Sequence, residues 1–257
     1  MIEFCNVSAG YEDALVLKDV SLCVPRGGIT SIIGPNGRGK TTLLRAAARQ
    51  LVLRAGEILL DSKPTAAYGR KEFARKAAFM PQVRSVPSIT VESLVAHGRF
   101  PYLGLSRKMR AEDKAAVRRA MEDTGVAGWA GRELRELSGG ERQRVYIAMA
   151  LAQDTDIIFL DEPTTYLDLY YQFELLELVC GLNARGKTIV LVLHDLSHAL
   201  RYSHQVVLMQ EGRLVMCAAP QTLFESGKIG AVFRVQAKKT EDGYYFLPAK
   251  PSETHAR

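Results

Sequence analysis

The chain has 257 residues, 47% of them hydrophobic and 24% charged, with a formal net charge of +6. Such a chain can bury a sizeable core and is not a low-complexity or disordered polymer. The basic excess would suit nucleic acid or an anionic surface, but it is scattered, and its densest cluster, Arg107 to Arg119, also holds Glu112 and Asp113, as a solvated helix face does.

Strand-like segments open the chain at 2 to 7, 16 to 24 and 29 to 33, and the last runs straight into GPNGRGKTT at 34 to 42. This string fits G-x-x-x-x-G-K-[ST], with Gly34, Gly39, Lys40 and Thr41 in the required places and a helix-forming stretch at 43 to 48 behind it. Glycines let backbone N–H groups converge on phosphate oxygens, and the following helix N-terminus adds about half a positive charge beneath them. The span Gly34, Pro35, Asn36, Gly37, Arg38, Gly39, Lys40, Thr41 and Thr42 is therefore expected to cradle the phosphates of ATP. Lys40 should reach the β- and γ-phosphates, and the Thr41 hydroxyl should ligate Mg²⁺.

A further strand is expected at 56 to 60, and from 88 to about 152 the pattern turns helical. Within that stretch Ser138, Gly139 and Gly140 precede a helical run at 141 to 152, which makes a second N-terminal anion site rich in backbone donors. Strand and helix then alternate at 157 to 160, 169 to 182, 188 to 193, 196 to 203 and 206 to 210, as βαβ units of a mainly parallel sheet do. The run at 157 to 160 is continuously apolar and ends in Asp161 and Glu162, two carboxylates at the carboxyl end of a buried strand. There one can hold Mg²⁺ while the next deprotonates an attacking water. Residues 232 to 247 read as a small mixed extension and the last ten as loose.

Cys5, Cys23, Cys180 and Cys217 lie far apart, which suggests free thiols in a reducing compartment. Neither a signal peptide nor a membrane-spanning run is expected, so the reading is a cytosolic chain whose membrane role comes through a partner. His194 and His198, four residues apart, could pair on a metal, but no third ligand stands nearby.

LSGGERQ at 137 to 143, placed between the phosphate loop and Asp161-Glu162, resembles the signature of the ATP-binding-cassette ATPases. The resemblance covers nearly the whole chain. It implies an α/β phosphate-loop core with a mainly parallel sheet, an N-terminal antiparallel β subdomain and an inserted helical subdomain. The expected division is a cassette over 1–240, with core at 1–87 and 153–240, helical subdomain at 88–152, and an extension at 241–257. It also implies a homodimer in which each ATP lies between one subunit's phosphate loop and Ser138, Gly139, Gly140 and Glu141 of the other. By the same resemblance Tyr11 stacks on adenine, Gln82 senses Mg²⁺ and the water, Asp161 holds Mg²⁺ and Glu162 activates the water. Asp168 crosses the dimer interface and His194 contacts the γ-phosphate. Arg38 and Thr165 depart from the usual residues, the first acting through its backbone and the second keeping the hydroxyl.

Val95-Ala96-His97-Gly98-Arg99-Phe100-Pro101 resembles an element of the importers for iron–siderophore, haem and vitamin B12, although Gly98-Arg99 also reads as a helix C-cap. Thr164 to Asp168, His194 to Leu196 with Ala199, Arg201 and Tyr202, and the ending 230 to 235 carry the same likeness. It implies a peripheral subunit on the cytoplasmic face of the membrane, beneath a permease dimer fed by an extracytoplasmic binding protein, with no nucleic-acid partner. Zinc or manganese importers remain alternatives. A nucleic-acid or ribosome-acting cassette is disfavoured for want of a second cassette or coiled-coil insertion. A non-hydrolysing cassette is disfavoured because Lys40, Asp161, Glu162 and His194 are all present.

Overall fold

The runs at 29–33, 157–160 and 188–192 are buried at every residue, which requires cover on both faces of the sheet they build. The computed structural model describes residues 1–12, 14–82, 86–104, 108–241 and 243–249. In chain order its elements are β1 (Ile2–Tyr11), β2 (Ala14–Val24), β3 (Ile29–Ile33), α1 (Lys40–Ala47), β4 (Leu53–Leu60), β5 (Lys63–Pro64), α2 (Arg70–Ala74) and β6 (Ala77–Met80). Then come α3 (Val91–Ala96), α4 (Ala111–Asp123), α5 (Gly139–Ala152), β7 (Ile157–Leu160), α6 (Leu169–Ala184), β8 (Thr188–Val192) and α7 (Leu196–Tyr202). The chain closes with β9 (Gln205–Gln210), β10 (Arg213–Ala218), α8 (Pro220–Glu225), α9 (Lys228–Phe233), β11 (Val235–Thr240) and β12 (Gly243–Pro248).

The main sheet runs β10-β9-β3-β8-β7-β6. Its five strands from β9 to β6 are parallel, and only β10, at one edge, is antiparallel. Alternate residues feed two cores, as a period of two dictates. Ile158, Ile189, Leu191 and Leu208 pack with α3 to α7 on one face. Phe159, Val190, Val192 and Val207 pack on the other with Leu43 and Leu44 of α1 and with the antiparallel sheet β2-β1-β4-β5. Helix α1 thus lies between two sheets. The N–H of Lys18 donates to the Gly212 carbonyl at 2.9 Å and ties the sheets at their edge.

Three strands were not expected: the short β5 and two of the main sheet. Ala77–Met80 forms β6, paired with β7, although Ala-Ala-Phe-Met carries no β-branched residue. Arg213–Ala218 forms the antiparallel edge β10. Helices α3, α4 and α5 all fall between β6 and β7. The mixed extension is the end of α9 followed by the hairpin β11–β12. Residues 250–257, within the stretch expected to be loose, and Arg107 of the basic cluster lie outside the described residues. Among the described residues no helix is long and apolar enough to cross a membrane.

The Gly98-Arg99 pair is not a helix C-cap. It lies in a 3₁₀ turn, His97–Tyr102, where a Cβ on Gly98 would sit 2.2 Å from the Met149 carbonyl oxygen of α5. The side chain of Arg99 is buried, donating to Asp113 at 3.0 Å and to the Ala152 carbonyl at 2.9 Å, with its guanidinium 3.8 Å from the Tyr102 ring centroid. Glycine is required by the close approach of two backbones, and the buried cation is fully partnered.

Candidate nucleotide site

Parallel strands present their carboxyl ends on one edge, where α/β sheets hold ligands. The neighbours β3, β8, β7 and β6 therefore bring residues 34–39, His194, Asp161-Glu162 and Gln82 side by side. The loop after β3 needs its first glycine: Gly34 has φ 155°, and a Cβ there would lie 2.4 Å from the Met209 carbonyl oxygen. Gly39 is the N-cap of α1 and offers no side-chain cap, so the first turn of α1 keeps its N–H groups for the loop. Lys40 is buried, and its Nζ donates to the carbonyls of Gly34 (2.8 Å) and Pro35 (3.1 Å) and to Asn36 Oδ1 (3.5 Å). Burial pushes this ammonium below its ordinary value, and the carboxylates of Glu162 and Asp161 pull back the other way. Gly37 lies within the same loop, Thr42 is buried in α1, and the exposed Arg38 stands 3.8 Å from Glu211.

Asp161 is fully buried. Its Oδ1 accepts from the Thr41 hydroxyl at 2.8 Å, while Oδ2 has no hydrogen-bond partner and only Arg45 Nε at 3.8 Å. Burial raises this carboxyl above its ordinary range, against the Thr41 bond and the Arg45 charge. A buried carboxylate oxygen left open beside a hydroxyl is the donor set of a hard divalent cation, and it fits Mg²⁺. Arg45 was missed by sequence reasoning. Its four-residue spacing from Thr41 on α1 is the signal that could have found it. Arg45 Nη1 also lies 3.4 Å from the hydroxyl of the exposed Tyr11, which thereby sits at the rim of the same site.

Glu162 adopts φ 52°, a left-handed conformation rare for such a residue. Its Oε2 accepts from Gln82 Nε2 at 2.8 Å and from the Thr165 hydroxyl at 3.5 Å, and its Oε1 stands 2.8 Å from His194 Nε2. Residues from the ends of the two flanking strands and from the following loop thus aim one carboxylate. His194 and His198 do not converge, since the His198 ring is buried against Phe173 and Tyr202, with centroids at 5.3 and 6.1 Å.

Helix α5 opens with a capping box. Ser138 Oγ accepts from the Glu141 N–H at 3.3 Å, and Glu141 accepts from the Ser138 N–H at 2.7 Å, which lowers the Glu141 carboxyl below its usual range. A Cβ on Gly140 would meet Leu167 at 3.2 Å, so this helix start lies against the loop that follows Glu162. Gly139, Gln82, Glu162, Thr165 and Tyr166 line one cavity of about 660 Å³. Asp168 caps α6, its Oδ1 accepting from the Tyr171 N–H at 3.2 Å.

Residues 17–165 match the family model described as ABC transporter. Across 95% of this chain and 89% of the relative, the sequence is 43% identical to the "Probable siderophore transport system ATP-binding protein YusV" of Bacillus subtilis (strain 168). It is 40% identical to the ferric enterobactin transport ATP-binding protein FepC of Escherichia coli (strain K12), over 92% of this chain and 88% of that one. Among solved structures it resembles the dimeric post-hydrolysis state of the ATP-binding cassette MJ0796 bound to ADP and Pi. The TM-score is 0.76 and the identity 28%, over 86% of this chain and 99% of the other.

Proposed function

Because the chain belongs to the ABC transporter family of ATP-binding subunits, we propose that it hydrolyses ATP to drive import of an iron chelate through a membrane permease. The observation that carries the chemistry is the carboxylate of Glu162 at the end of β7, aimed by His194 and Gln82 beside the phosphate loop. In this reading ATP lies with its adenine near Tyr11 and its phosphates over the backbone of residues 34–42, with Lys40 turned from the loop carbonyls onto the β- and γ-phosphates. Mg²⁺, held by Thr41, Asp161 and Gln82, supplies charge neutralisation on the phosphates. Glu162 takes the proton of the attacking water, whose oxygen displaces ADP from the γ-phosphorus, and His194 steadies the γ-phosphate.

Two copies form the working unit. Ser138, Gly139, Gly140 and Glu141 of one copy close over the ATP of the other, and Asp168 meets the partner across the interface. Residues 88–152 act as the helical subdomain that passes this closure from the core, 1–87 and 153–240, to the permease. The chain works as a peripheral subunit on the cytoplasmic face, and an extracytoplasmic binding protein delivers the cargo.

The cargo rests on the relatives and on the Gly98-Arg99 corner packed into α5. Ferric siderophore, haem and cobalamin share this reading. Deleting the chain should abolish uptake of one such labelled chelate and stop growth when it is the sole source of iron or cobalamin. Rescue by free zinc or manganese ions would move the assignment to a metal-ion importer, leaving the ATPase in place.

A further inference from the structure

Helix α5 begins at the signature and ends beside β6, and a glutamine amide fastens it at each end. Gln143, only 8% exposed, donates from Nε2 to the carbonyl oxygen of Pro163 at 2.9 Å. Gln153, the C-cap of α5, donates to the Ala77 carbonyl at 3.1 Å, at the start of the strand that leads to Gln82. Pro163 directly follows Glu162, whose left-handed φ of 52° has to be imposed by its surroundings. On the near side the Glu162 carbonyl accepts from the Thr165 N–H at 3.2 Å, and on the far side the bond from Gln143 fixes the next peptide unit. Gln143 also lies about 7.5 Å along the helix from Ser138, at the rise of an α-helix. A rigid helix carries a shift of its N-terminus undiminished over that distance.

We propose that Gln143 is a positioning residue for hydrolysis. It ties the orientation of Glu162 to the placement of the signature helix in the same chain, so that a nucleotide phosphate docking at Ser138–Gly140 aligns the carboxylate of that chain. The inference rests on the ATPase reading above and adds to it a path from one site of the dimer to the other. A misplacement on the order of 1 Å at a reacting group can cost about 10²-fold in rate, so a single hydrogen bond at this hinge is enough to matter.

The test uses the full chain with Gln143→Met, which keeps the length of the side chain and removes the donor, and Gln143→Glu. Gln143→Met should lower kcat by about 10- to 100-fold, with KM for ATP within about threefold of wild type, a pattern of loss confined to the transition state. It should also accumulate an ATP-bound dimer on size exclusion, because the signature itself is untouched. In Gln143→Glu the new carboxylate faces a carbonyl and cannot donate until it is protonated, and burial raises the pH at which that happens. Its kcat relative to wild type should therefore climb from alkaline to mildly acidic pH. Arg142, Tyr146 and Glu162 line the same cavity, so Gln143→Met, which adds no ionisable group, is run over the same pH range as the control for their own response.

Wild-type kcat in Gln143→Met would overturn the proposal. So would a loss carried by KM or by failure to form the ATP dimer, either of which marks a structural role in the signature. If Gln143→Met does not fold, the pH ratio of Gln143→Glu decides, and a flat ratio ends the idea. A wild-type chain that hydrolyses no ATP with its permease present would remove the reading beneath it, an outcome distinct from all of these.

Discussion

His194 Nε2 stands 2.8 Å from Oε1 of Glu162, although α6 and β8 separate the two residues in the chain. The contact exists because β7 and β8 are parallel neighbours, in register from Ile157↔Thr188 to Leu160↔Leu191, so that their exits coincide. Gln82, leaving β6 on the other side of β7, takes the second oxygen of the same carboxylate. Glu162 is therefore oriented from both flanking strands.

Glu162→Gln keeps the shape of the side chain and removes its basicity. Turnover should fall about 10²- to 10⁴-fold, the usual scale for general-base catalysis. ATP binding should persist, since Lys40 and the loop are unchanged, and an ATP-bound dimer should build up on size exclusion. Near-normal phosphate release in this variant would take the base role away from Glu162.

Asp161→Asn should act on the cation. The Thr41 contact can survive, but the open, buried Oδ2 loses its charge. The Mg²⁺ concentration giving half-maximal ATPase should rise about tenfold or more, the scale on which the shell around a metal tunes affinity. Binding of a fluorescent ATP analogue in EDTA should stay close to wild type, and an equal loss there would point to a collapsed loop.

Lys40 is held below its ordinary pKa by burial, so its charge is a burden on the folded chain without nucleotide. Between its depressed folded-state pKa and the ordinary value of 10.5, the unfolded chain binds more protons, and wild-type stability rises with pH. Lys40→Met lacks that rise. Near neutral pH and without nucleotide it should melt no lower than wild type, and any advantage should shrink as the pH is raised through the window. ATP should stabilise the wild type alone. A variant advantage that widens with pH would contradict the sign.

Gly98→Ala places a Cβ 2.2 Å from the Met149 carbonyl oxygen. That atom belongs to helix backbone and cannot swing aside as a side chain can. Overpacking of this kind costs about 1–3 kcal/mol, and urea unfolding should show the free energy of unfolding falling by that amount. An unchanged value would mean that the turn His97–Tyr102 and α5 separate freely.

Much of this site was readable before any coordinates, because it is built from short strings whose spacing is fixed by chemistry. The glycines at 34 to 39 must turn the chain from β3 into α1, and Asp161-Glu162 must end a doubly buried strand. What escaped were elements defined by neighbours. The strand Ala77–Met80 has helix-like residues and is extended only because β7 offers it a parallel ladder. Arg45 reaches Asp161 and Tyr11 because α1 lies between the two sheets, and the pairing of Gln143 with the Pro163 carbonyl links residues twenty apart. Gly98-Arg99 could be read as a cap or as a motif, and the 3₁₀ turn packed on the backbone of α5 removes the cap.

The Arg99–Asp113 pair, sealed beneath Tyr102 and joined to the end of α5, separates two kinds of sequence change. Residues at this junction are constrained by one another, whereas Glu112, Arg118 and Arg119 on the outer face of α4 are exposed, and among the described residues Glu112 pairs only with the equally exposed Arg110. Substitution on that outer face therefore needs no compensating change, whereas a change at Arg99 or Asp113 strands the other as a buried, unpaired charge.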